Sequence, residues 1–262
     1  MSDWVRQPGF DLAGGKALVV GMGNPAGRAI ALALAEAGAD VAVASATLDG
    51  DEVMEAKGVS KAVAAMGRAT MSQGWDVTLP GNIQVGLKQI GKEFGHPTIL
   101  VFNADAAIAK PIEKLGDAEV GRMLQLNLAG AFSVARSFAR ELPGGRPGRL
   151  IYITSLFGER GVEGLSAYSA AKAGVNGLVA ALSQEFGARG VTVNAISTGW
   201  MDWTPGRGPD DIGQNRLLRF IPLRRFGTAE DLAGLAVLLC SGAGGYLSGQ
   251  VFHVDGGISG HL

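Results

Sequence analysis

The chain has 262 residues, of which 47% are hydrophobic, so it is long and apolar enough for a sizeable core and does not have the composition of a disordered protein. Its 23 Lys and Arg nearly balance its 24 Asp and Glu, which excludes a generally basic nucleic-acid binder. The single cysteine, Cys240, and three scattered histidines exclude an internal disulfide and a His/Cys zinc cluster, so we expect no metal and a reducing, cytoplasmic location.

Short apolar runs of strand type alternate with longer helical runs along the whole chain. The candidate strands are Ala17–Gly21, Val41–Ser45, Thr70–Val77, Thr98–Phe102, Arg149–Thr154, Val191–Ile196 and Gln250–Val254. The candidate helices begin near Ala26, Asp51, Asn82, Asp117, Ser166 and Thr228. Residues 17–20 and 99–102 are apolar on both faces, as in strands that helices cover on two sides. The pattern predicts an α/β fold: one doubly wound Rossmann-type domain over residues 1–262, with a seven-stranded parallel sheet and helices on both faces.

Two segments of the sequence bear on targeting and membrane insertion. The first residues, from Met1 to Pro8, have no basic start followed by an apolar run, so no secretory signal is predicted. No charged residue lies between Asp231 and Asp255, a length that could span a bilayer. Because 241–245 reads Ser-Gly-Ala-Gly-Gly, we predict instead an apolar helix, a turn and a short strand, and no membrane association.

A glycine-rich turn follows the first candidate strand and runs from Gly21 through Gly23 to Gly27, with the spacing G-x-G-x-x-x-G. Glycines permit a sharp turn and a close backbone approach to a pyrophosphate, and the following helix N-terminus adds about half a positive charge. A tight strand-to-helix turn without a ligand is the alternative. The strand-turn-helix context favours nucleotide binding.

The second candidate strand ends at Ser45-Ala46-Thr47, where this fold would place an acid for a ribose 2′-hydroxyl or an arginine for a 2′-phosphate. Neither residue type is present. Ser45 and Thr47 could bond a phosphate or a hydroxyl, and Asp49 and Asp51 could equally cap the next helix. The sequence leaves NAD and NADP open, and the missing acid slightly favours NADP.

Tyr168 and Lys172 are separated by four residues in a helical run, which places them on one face, one turn apart. An ammonium close to a phenol favours the phenolate and makes Tyr168 a better base near neutral pH. Ser155 follows a candidate strand, where its hydroxyl could bond a substrate oxygen. A Tyr-x-x-x-Lys spacing alone is common on helix surfaces, so the inference depends on the combination with Ser155 and the glycine turn.

With these residues in this order, the sequence resembles the short-chain dehydrogenase/reductase family, and in particular its 3-oxoacyl-(acyl-carrier-protein) reductase-like members. The resemblance covers nearly the whole chain. The matching motifs are Gly21–Gly27, Asp76-Val77, Asn103-Ala104, Asn127, Ser155, Tyr168-x-x-x-Lys172, Asn194-Ala195, Gly199, Gly249-Gln250 and Val254-Asp255-Gly256-Gly257.

The resemblance implies an NAD(P)-dependent oxidoreductase that interconverts a secondary alcohol and a ketone by hydride transfer. It implies that Tyr168 is the general acid/base and that Lys172 holds the nicotinamide ribose and lowers the phenol pKa. Ser155 would polarise the substrate oxygen, and Asn127 would hold a water connected to Lys172. The implied cofactor contacts are Gly21, Gly23, Asn24, Ala26, Gly27, Ser45, Asp76, Val77, Asn103, Ala104, Tyr168, Lys172, Gly199 and Met201.

The sequence departs from the family pattern near the cofactor. The usual Thr before the first glycine is Val20, Pro25 replaces the middle glycine of the turn, and Asp105 replaces the glycine of the Asn-Asn-Ala-Gly segment. Thr198 replaces a proline before Gly199. These changes concern cofactor affinity and preference more than the Asn127, Ser155, Tyr168 and Lys172 set.

The resemblance also implies a substrate lid over about 200–225, small-molecule substrates and a homotetramer or homodimer that pairs the helices near 117–142 and 166–189. Trp200 and Trp203 could form an apolar wall, whereas Arg207, Arg216 and Arg219 could meet an anionic substrate or simply face solvent. A non-catalytic dinucleotide-binding sensor or scaffold is the alternative function. A related epimerase or dehydratase would need a separate C-terminal substrate domain, and only about sixty residues follow Gly199.

Overall fold

The computed structural model describes residues 9–204 and 211–260, in which seven parallel strands form one sheet. The strands are β1 (Lys16–Val20), β2 (Asp40–Ala44), β3 (Thr70–Gln73), β4 (Ile99–Phe102), β5 (Gly148–Ser155), β6 (Val191–Thr198) and β7 (Val251–Val254). Their order across the sheet is β3-β2-β1-β4-β5-β6-β7. The order reverses between β1 and β4, and in such sheets the ligand crevice lies at the carboxyl ends of the strands at that point.

Helices cover both faces of this sheet. They are α1 (Pro25–Glu36), α2 (Gly50–Ala65), α3 (Pro80–Glu93), α4 (Asp117–Leu124), α5 (Gly130–Glu141), α6 (Ser166–Gly187), α7 (Asp211–Leu218) and α8 (Glu230–Cys240). Leu18 and Val20 of β1 pack in the core shared with α3, α5 and α6, whereas Ala17 and Val19 pack with α1, α2 and α8. Successive residues of β1 therefore enter two separate cores, which is why this strand is apolar throughout.

The predicted doubly wound fold is confirmed, with two local corrections. Strand β3 ends at Gln73 and does not reach Val77, because the Ser45 hydroxyl, and not a strand backbone, accepts a hydrogen bond from the Trp75 N–H at 3.0 Å. Helix α7 was not predicted, because its polar sequence shows little periodicity. The segment from Asp231 to Asp255 forms most of α8, a turn and β7, and no described helix is long and apolar enough to cross a membrane.

Candidate active site

The glycine turn is closed by contacts that admit no side chain. Gly21 has φ +102°, and a Cβ atom there would lie 2.6 Å from the Asn103 carbonyl carbon. A Cβ atom on Gly27 would lie 2.2 Å from the Gly21 carbonyl oxygen. The Asn103 amide nitrogen donates to that same oxygen at 3.0 Å. The ends of β1 and β4 and the start of α1 are therefore packed backbone against backbone, as a cofactor phosphate cradle requires.

Pro25 fits this turn because it occupies the first position of α1, where the missing N–H has no partner inside the helix. The Asn24 side chain caps the helix by accepting a hydrogen bond from the Ala26 N–H at 3.0 Å. It also accepts one from the Asn103 amide at 3.1 Å. The Ala26 N–H therefore already has a partner inside the protein, whereas the Gly23 N–H has no hydrogen bond to any residue that the structure describes.

The Glu52 carboxylate, which the sequence analysis missed, lies at the end of β2. One of its oxygens accepts hydrogen bonds from the Met22 N–H at 2.9 Å and the Ala46 N–H at 2.7 Å. The other accepts from the Thr47 N–H at 3.0 Å and the Thr47 hydroxyl at 2.6 Å. Helix α2 begins at an Asp49 cap and carries Glu52 in its first turn, so an acid does stand near the expected ribose position, on a helix instead of the strand.

Ser45 forms its hydrogen bonds inside the protein, and its contact with a cofactor stays a prediction. The residue is fully buried, and its hydroxyl donates to the Trp75 carbonyl at 3.4 Å and accepts from the Trp75 N–H at 3.0 Å. These two hydrogen bonds hold the segment that follows β3, where strand pairing with β2 has ended. Asp49 caps α2, as the alternative reading of the sequence allowed.

Two adjoining cavities extend along the strand ends. The first, of about 490 Å³, lies between the glycine turn and α2 and is lined by Met22, Gly23, Ala46, Thr47, Asp49, Asp51, Glu52, Glu55, Asp105, Ala106, Arg122 and Leu126. The second, of about 440 Å³, runs from the start of α1 to Trp203, and Gly23, Asp105, Ala106 and Arg122 border both cavities. The first cavity carries five carboxylates and one guanidinium, so it is strongly acidic.

Tyr168, Ser155 and Lys172 meet beside these cavities, as the sequence analysis expected. Tyr168 is 6% exposed, and the side chains of Ser155 and Asp105 lie close enough to its phenol to affect the pKa of that group. The Lys172 ammonium lies 5.4 Å from the centre of the Tyr168 ring. It donates to the carbonyls of Ala104 at 3.3 Å and Ile153 at 3.4 Å. Helix α6 thus presents both side chains to the ends of β4 and β5.

Asp105 changes the electrostatics of this group. Its carboxylate pairs with the Lys172 ammonium at 3.1 Å. Burial raises the pKa of Tyr168 well above its ordinary value of 10.0, and the Asp105 charge and hydrogen bond raise it further, whereas Ser155 lowers it. Because the Lys172 ammonium is paired with Asp105 and the phenol is desolvated, the lowering of the phenol pKa by Lys172 stays a prediction.

The Asn127 side chain bonds only to backbone in the described part of the chain. Its amide nitrogen donates to the carbonyls of Ala106 at 2.8 Å and Met123 at 2.9 Å, and its oxygen accepts from the Ala106 N–H at 3.2 Å. It lies in the π-helical segment Gln125–Ala129 between α4 and α5. Asn127 thus holds the chain that follows Asp105, and its role toward a water and Lys172 stays a prediction.

The other predicted cofactor contacts have mixed surroundings. Asp76 accepts from both the N–H and the hydroxyl of Thr78, and Val77 is buried with its N–H on the Ala46 carbonyl. Gly199 is essential to close packing, because a Cβ atom there would lie 2.7 Å from Asp255. Met201 is 1% exposed and packs in the core with α8. Direct cofactor contact by these residues stays a prediction.

The predicted substrate side is partly visible. Phe157 and Trp200 pack with 4.7 Å between ring centres, and Trp203 lines the second cavity, whereas Trp200 borders a different one, so the apolar wall stays a prediction. Arg216 and Arg219 are exposed, in agreement with the solvated alternative. Arg207 lies outside the described residues. Among residues 9–204 and 211–260, no group of three or more His, Cys, Asp or Glu could hold a metal ion.

Comparison with known proteins places this geometry in a family. Residues 21–259 match the family model described as Enoyl-(Acyl carrier protein) reductase. The chain belongs to the short-chain dehydrogenase/reductase family. The 2-dehydro-3-deoxy-D-gluconate 5-dehydrogenase of Pseudoalteromonas atlantica is 34% identical over 95% of this chain and 97% of its own. The 3-oxoacyl-(acyl-carrier-protein) reductase FabG of Escherichia coli is 34% identical over 92% of this chain and 96% of its own.

A solved dehydrogenase structure supports the same assignment. A gluconate 5-dehydrogenase from Burkholderia cenocepacia, in complex with NADP and tartrate, superposes with a TM-score of 0.89 at 26% identity over 97% of this chain and 98% of that one. These relatives are named as dehydrogenases or reductases. The chain is an NAD(P)-dependent short-chain dehydrogenase/reductase that acts on small molecules, and the alternative of a non-catalytic sensor is set aside.

The residues at the strand ends fit a dinucleotide. The turn from Gly21 to Gly27 leaves a backbone cradle beside the two cavities, and the side-chain oxygen of Asn103 is buried with no hydrogen-bond partner among the described residues. A buried polar atom without a partner at a binding cleft is what a missing ligand donor leaves. The exception is the part of the cleft expected to hold the adenosine of the dinucleotide, where Glu52 already accepts hydrogen bonds from three backbone N–H groups.

Proposed function

We propose that this short-chain dehydrogenase/reductase interconverts a ketone and a secondary alcohol with Tyr168 as the general acid/base. The observation that carries the proposal is the meeting of the Tyr168 phenol, the Ser155 hydroxyl and the Lys172 ammonium at the ends of β4 and β5. Such a group offers a proton donor and a second hydrogen bond to one substrate oxygen.

The chemistry divides between the cofactor and the chain. NAD(P), when bound, supplies or accepts the hydride. Tyr168 gives its phenol proton to the substrate oxygen in reduction and takes it back in oxidation, while Ser155 orients that oxygen. Lys172 contributes a positive charge next to the phenol. The residues that would hold the cofactor are Gly21, Gly23, Asn24 and Gly27 at the turn and Asn103 and Ala104 after β4.

Relatives indicate the substrate class to test first. Two of them are named for 3-oxoacyl and sugar-acid substrates, and both classes carry a ketone or secondary alcohol near an anionic or thioester group. The experiment is a reduction assay with acetoacetyl-coenzyme A, 5-ketogluconate and a set of simple ketones, with NADPH and NADH. Reduction of at least one ketone supports the proposal, and cofactor binding without any reduction across the panel counts against it.

The cofactor preference has two opposing indications. The Burkholderia cenocepacia structure contains NADP, and a blue fluorescent protein from a metagenomic library, 28% identical with a TM-score of 0.87, is in complex with NADPH. These favour the NADP(H) preference expected from the sequence. In this chain, Glu52 and the other carboxylates of the first cavity repel a 2′-phosphate and so weaken the preference for NADP(H) over NAD(H).

Replacing Glu52 with Gln should raise the ratio of kcat/KM for NADP(H) to that for NAD(H) by about tenfold or more, equivalent to about 1.4 kcal/mol. The substitution removes the buried negative charge that faces the Met22, Ala46 and Thr47 N–H groups. Glu55→Gln is the matched control, since Glu55 borders the same cavity but pairs with Arg28 at 3.0 Å. An equal change in both variants, or none in Glu52→Gln, would refute the assignment of Glu52.

Assembly and the lid are further expectations. Exposed apolar side chains, including Phe132 at 48% exposure, form a groove between α4, α5 and α6. Burying this groove favours the predicted homotetramer or homodimer, and light scattering that shows a monomer would reject it. The lid over about 200–225 stays a prediction, because it includes residues outside the described part of the chain. The cytoplasmic location also stays a prediction.

A further inference from the structure

Asp105 follows β4 and inserts a carboxylate into the group that carries the proposed chemistry. It stands where the family pattern has a glycine, so relatives that follow the pattern have no side chain there. Its oxygen lies 3.1 Å from the Lys172 ammonium, which itself lies 5.4 Å from the centre of the Tyr168 ring. The Asp105 charge therefore acts on both partners of the Tyr-x-x-x-Lys pair.

The position of each group decides how strongly these contacts act. The Lys172 side chain is 3% exposed, and Tyr168 is 6% exposed, so little water screens the interactions between them. The Asp105 side chain is 22% exposed and lines both cavities. A phenol close to a carboxylate is stabilised in its protonated form, because the phenolate would face a like charge.

The other charges around the phenol do not cancel this effect. On α6 the nearest is Lys172, which Asp105 already pairs. Helix α4 contributes Arg122, which borders both cavities. From the β2 end and α2 the charged residues facing the first cavity are Asp49, Asp51, Glu52 and Glu55. Strand β5 contributes only the uncharged Ser155, so negative charge predominates.

We propose that Asp105 is a positioning residue that holds the proton on Tyr168 and so sets the chain for carbonyl reduction at neutral pH. In reduction the hydride adds to the carbonyl carbon, the C=O π bond breaks, and the phenol O–H proton moves to the oxygen as NAD(P)H is oxidised to NAD(P)⁺. This needs the neutral phenol, which is present at pH values below its pKa. Oxidation needs the phenolate and becomes effective only as pH rises toward that pKa.

The preference for reduction over oxidation rests on the proposed role of Tyr168. The effect of Asp105 on the Tyr168 phenol can be tested without substrate or cofactor. The chain has three tyrosines, Tyr152, Tyr168 and Tyr246. Tyr246 is fully exposed, and burial raises the pKa of Tyr152 strongly. In a Tyr152→Phe/Tyr246→Phe background, Tyr168 is the one tyrosine left in the sequence, so any phenolate that forms is its own.

The experiment titrates this background variant by ultraviolet difference spectroscopy, with and without Asp105→Asn, while circular dichroism follows the fold. Asp105→Asn should shift phenolate formation down by at least about one pH unit, because it removes the negative charge that disfavours the phenolate and leaves the Lys172 ammonium without its carboxylate partner. Glu185→Gln is the charge-matched control, because Glu185 is an exposed residue of α6, the helix that carries Tyr168. It should leave the titration unchanged.

Two results would overturn the proposal. One is the same titration with and without Asp105, including the case in which phenolate forms in both only as the fold is lost. The other is an equal shift in Glu185→Gln, which would make the effect one of net charge. Neither result depends on turnover, so the outcome is separate from that of the substrate panel.

Discussion

Turnover in Tyr168→Phe is expected to fall by about 10²–10⁴-fold, with cofactor affinity changed far less. The substitution removes one oxygen atom, which is the proposed proton donor, and leaves the ring that packs against Leu156, Phe157 and Leu165. The measurement is kcat for whichever ketone the panel identifies, together with the dissociation constant of NADPH from its fluorescence. A large fall in kcat with a retained dissociation constant identifies a chemical and not a structural role.

Tyr152→Phe provides the matched control. Tyr152 is a fully buried tyrosine of β5 whose hydroxyl donates to the Ala131 carbonyl at 3.3 Å. Its loss is expected to cost about 1 kcal/mol of stability and to leave kcat nearly unchanged. If Tyr168→Phe kept full activity, or if both variants lost activity equally, the assignment of Tyr168 as acid/base would be wrong.

Replacing Gly27 with Ala should greatly weaken cofactor binding and lower the free energy of unfolding by about 1–3 kcal/mol. The added methyl group would lie 2.2 Å from the Gly21 carbonyl oxygen and 3.1 Å from the Asn103 amide nitrogen. Neither can move away easily, since Gly21 is held by backbone contacts with Asn103. Urea unfolding and NADPH titration measure the two effects separately.

Gly121→Ala is the corresponding control in α4. A Cβ atom at Gly121 meets nothing within 4 Å, so Ala should fit and stabilise the helix by up to about 1 kcal/mol. The contrast tests whether close packing, and not glycine content in general, explains the requirement at the turn. Unchanged stability and NADPH binding in Gly27→Ala would contradict the packing argument.

Periodicity and the order of motifs were enough to predict the sheet. Runs such as Ile99–Phe102 are apolar on both faces because helices cover both sides, and that information is local to the strand. Tyr168 and Lys172 were also predictable as a pair, since four residues of one helix fix their relation. Features set by neighbouring residues in one element therefore agree with the structure.

The contacts that the sequence did not predict join distant segments. Glu52 reaches Met22 across a separation of 30 residues, and no local pattern distinguishes it from Asp49 or Asp51. Asp105 was noted as a departure, but its pairing with Lys172 depends on where β4 and α6 meet. Strand β3 was predicted too long for the same reason, because the distant Ser45 side chain takes the place of a backbone partner for the Trp75 N–H.

The four hydrogen bonds that Glu52 accepts have a consequence for the free protein. Backbone N–H groups at a strand end normally bond to water or to a bound anion. Those of Met22, Ala46 and Thr47 instead donate to the Glu52 carboxylate. Their amide hydrogens should exchange slowly before any ligand arrives. The dinucleotide would thus meet a turn that is already rigid, and its association would lose little chain entropy to ordering this part of the cleft.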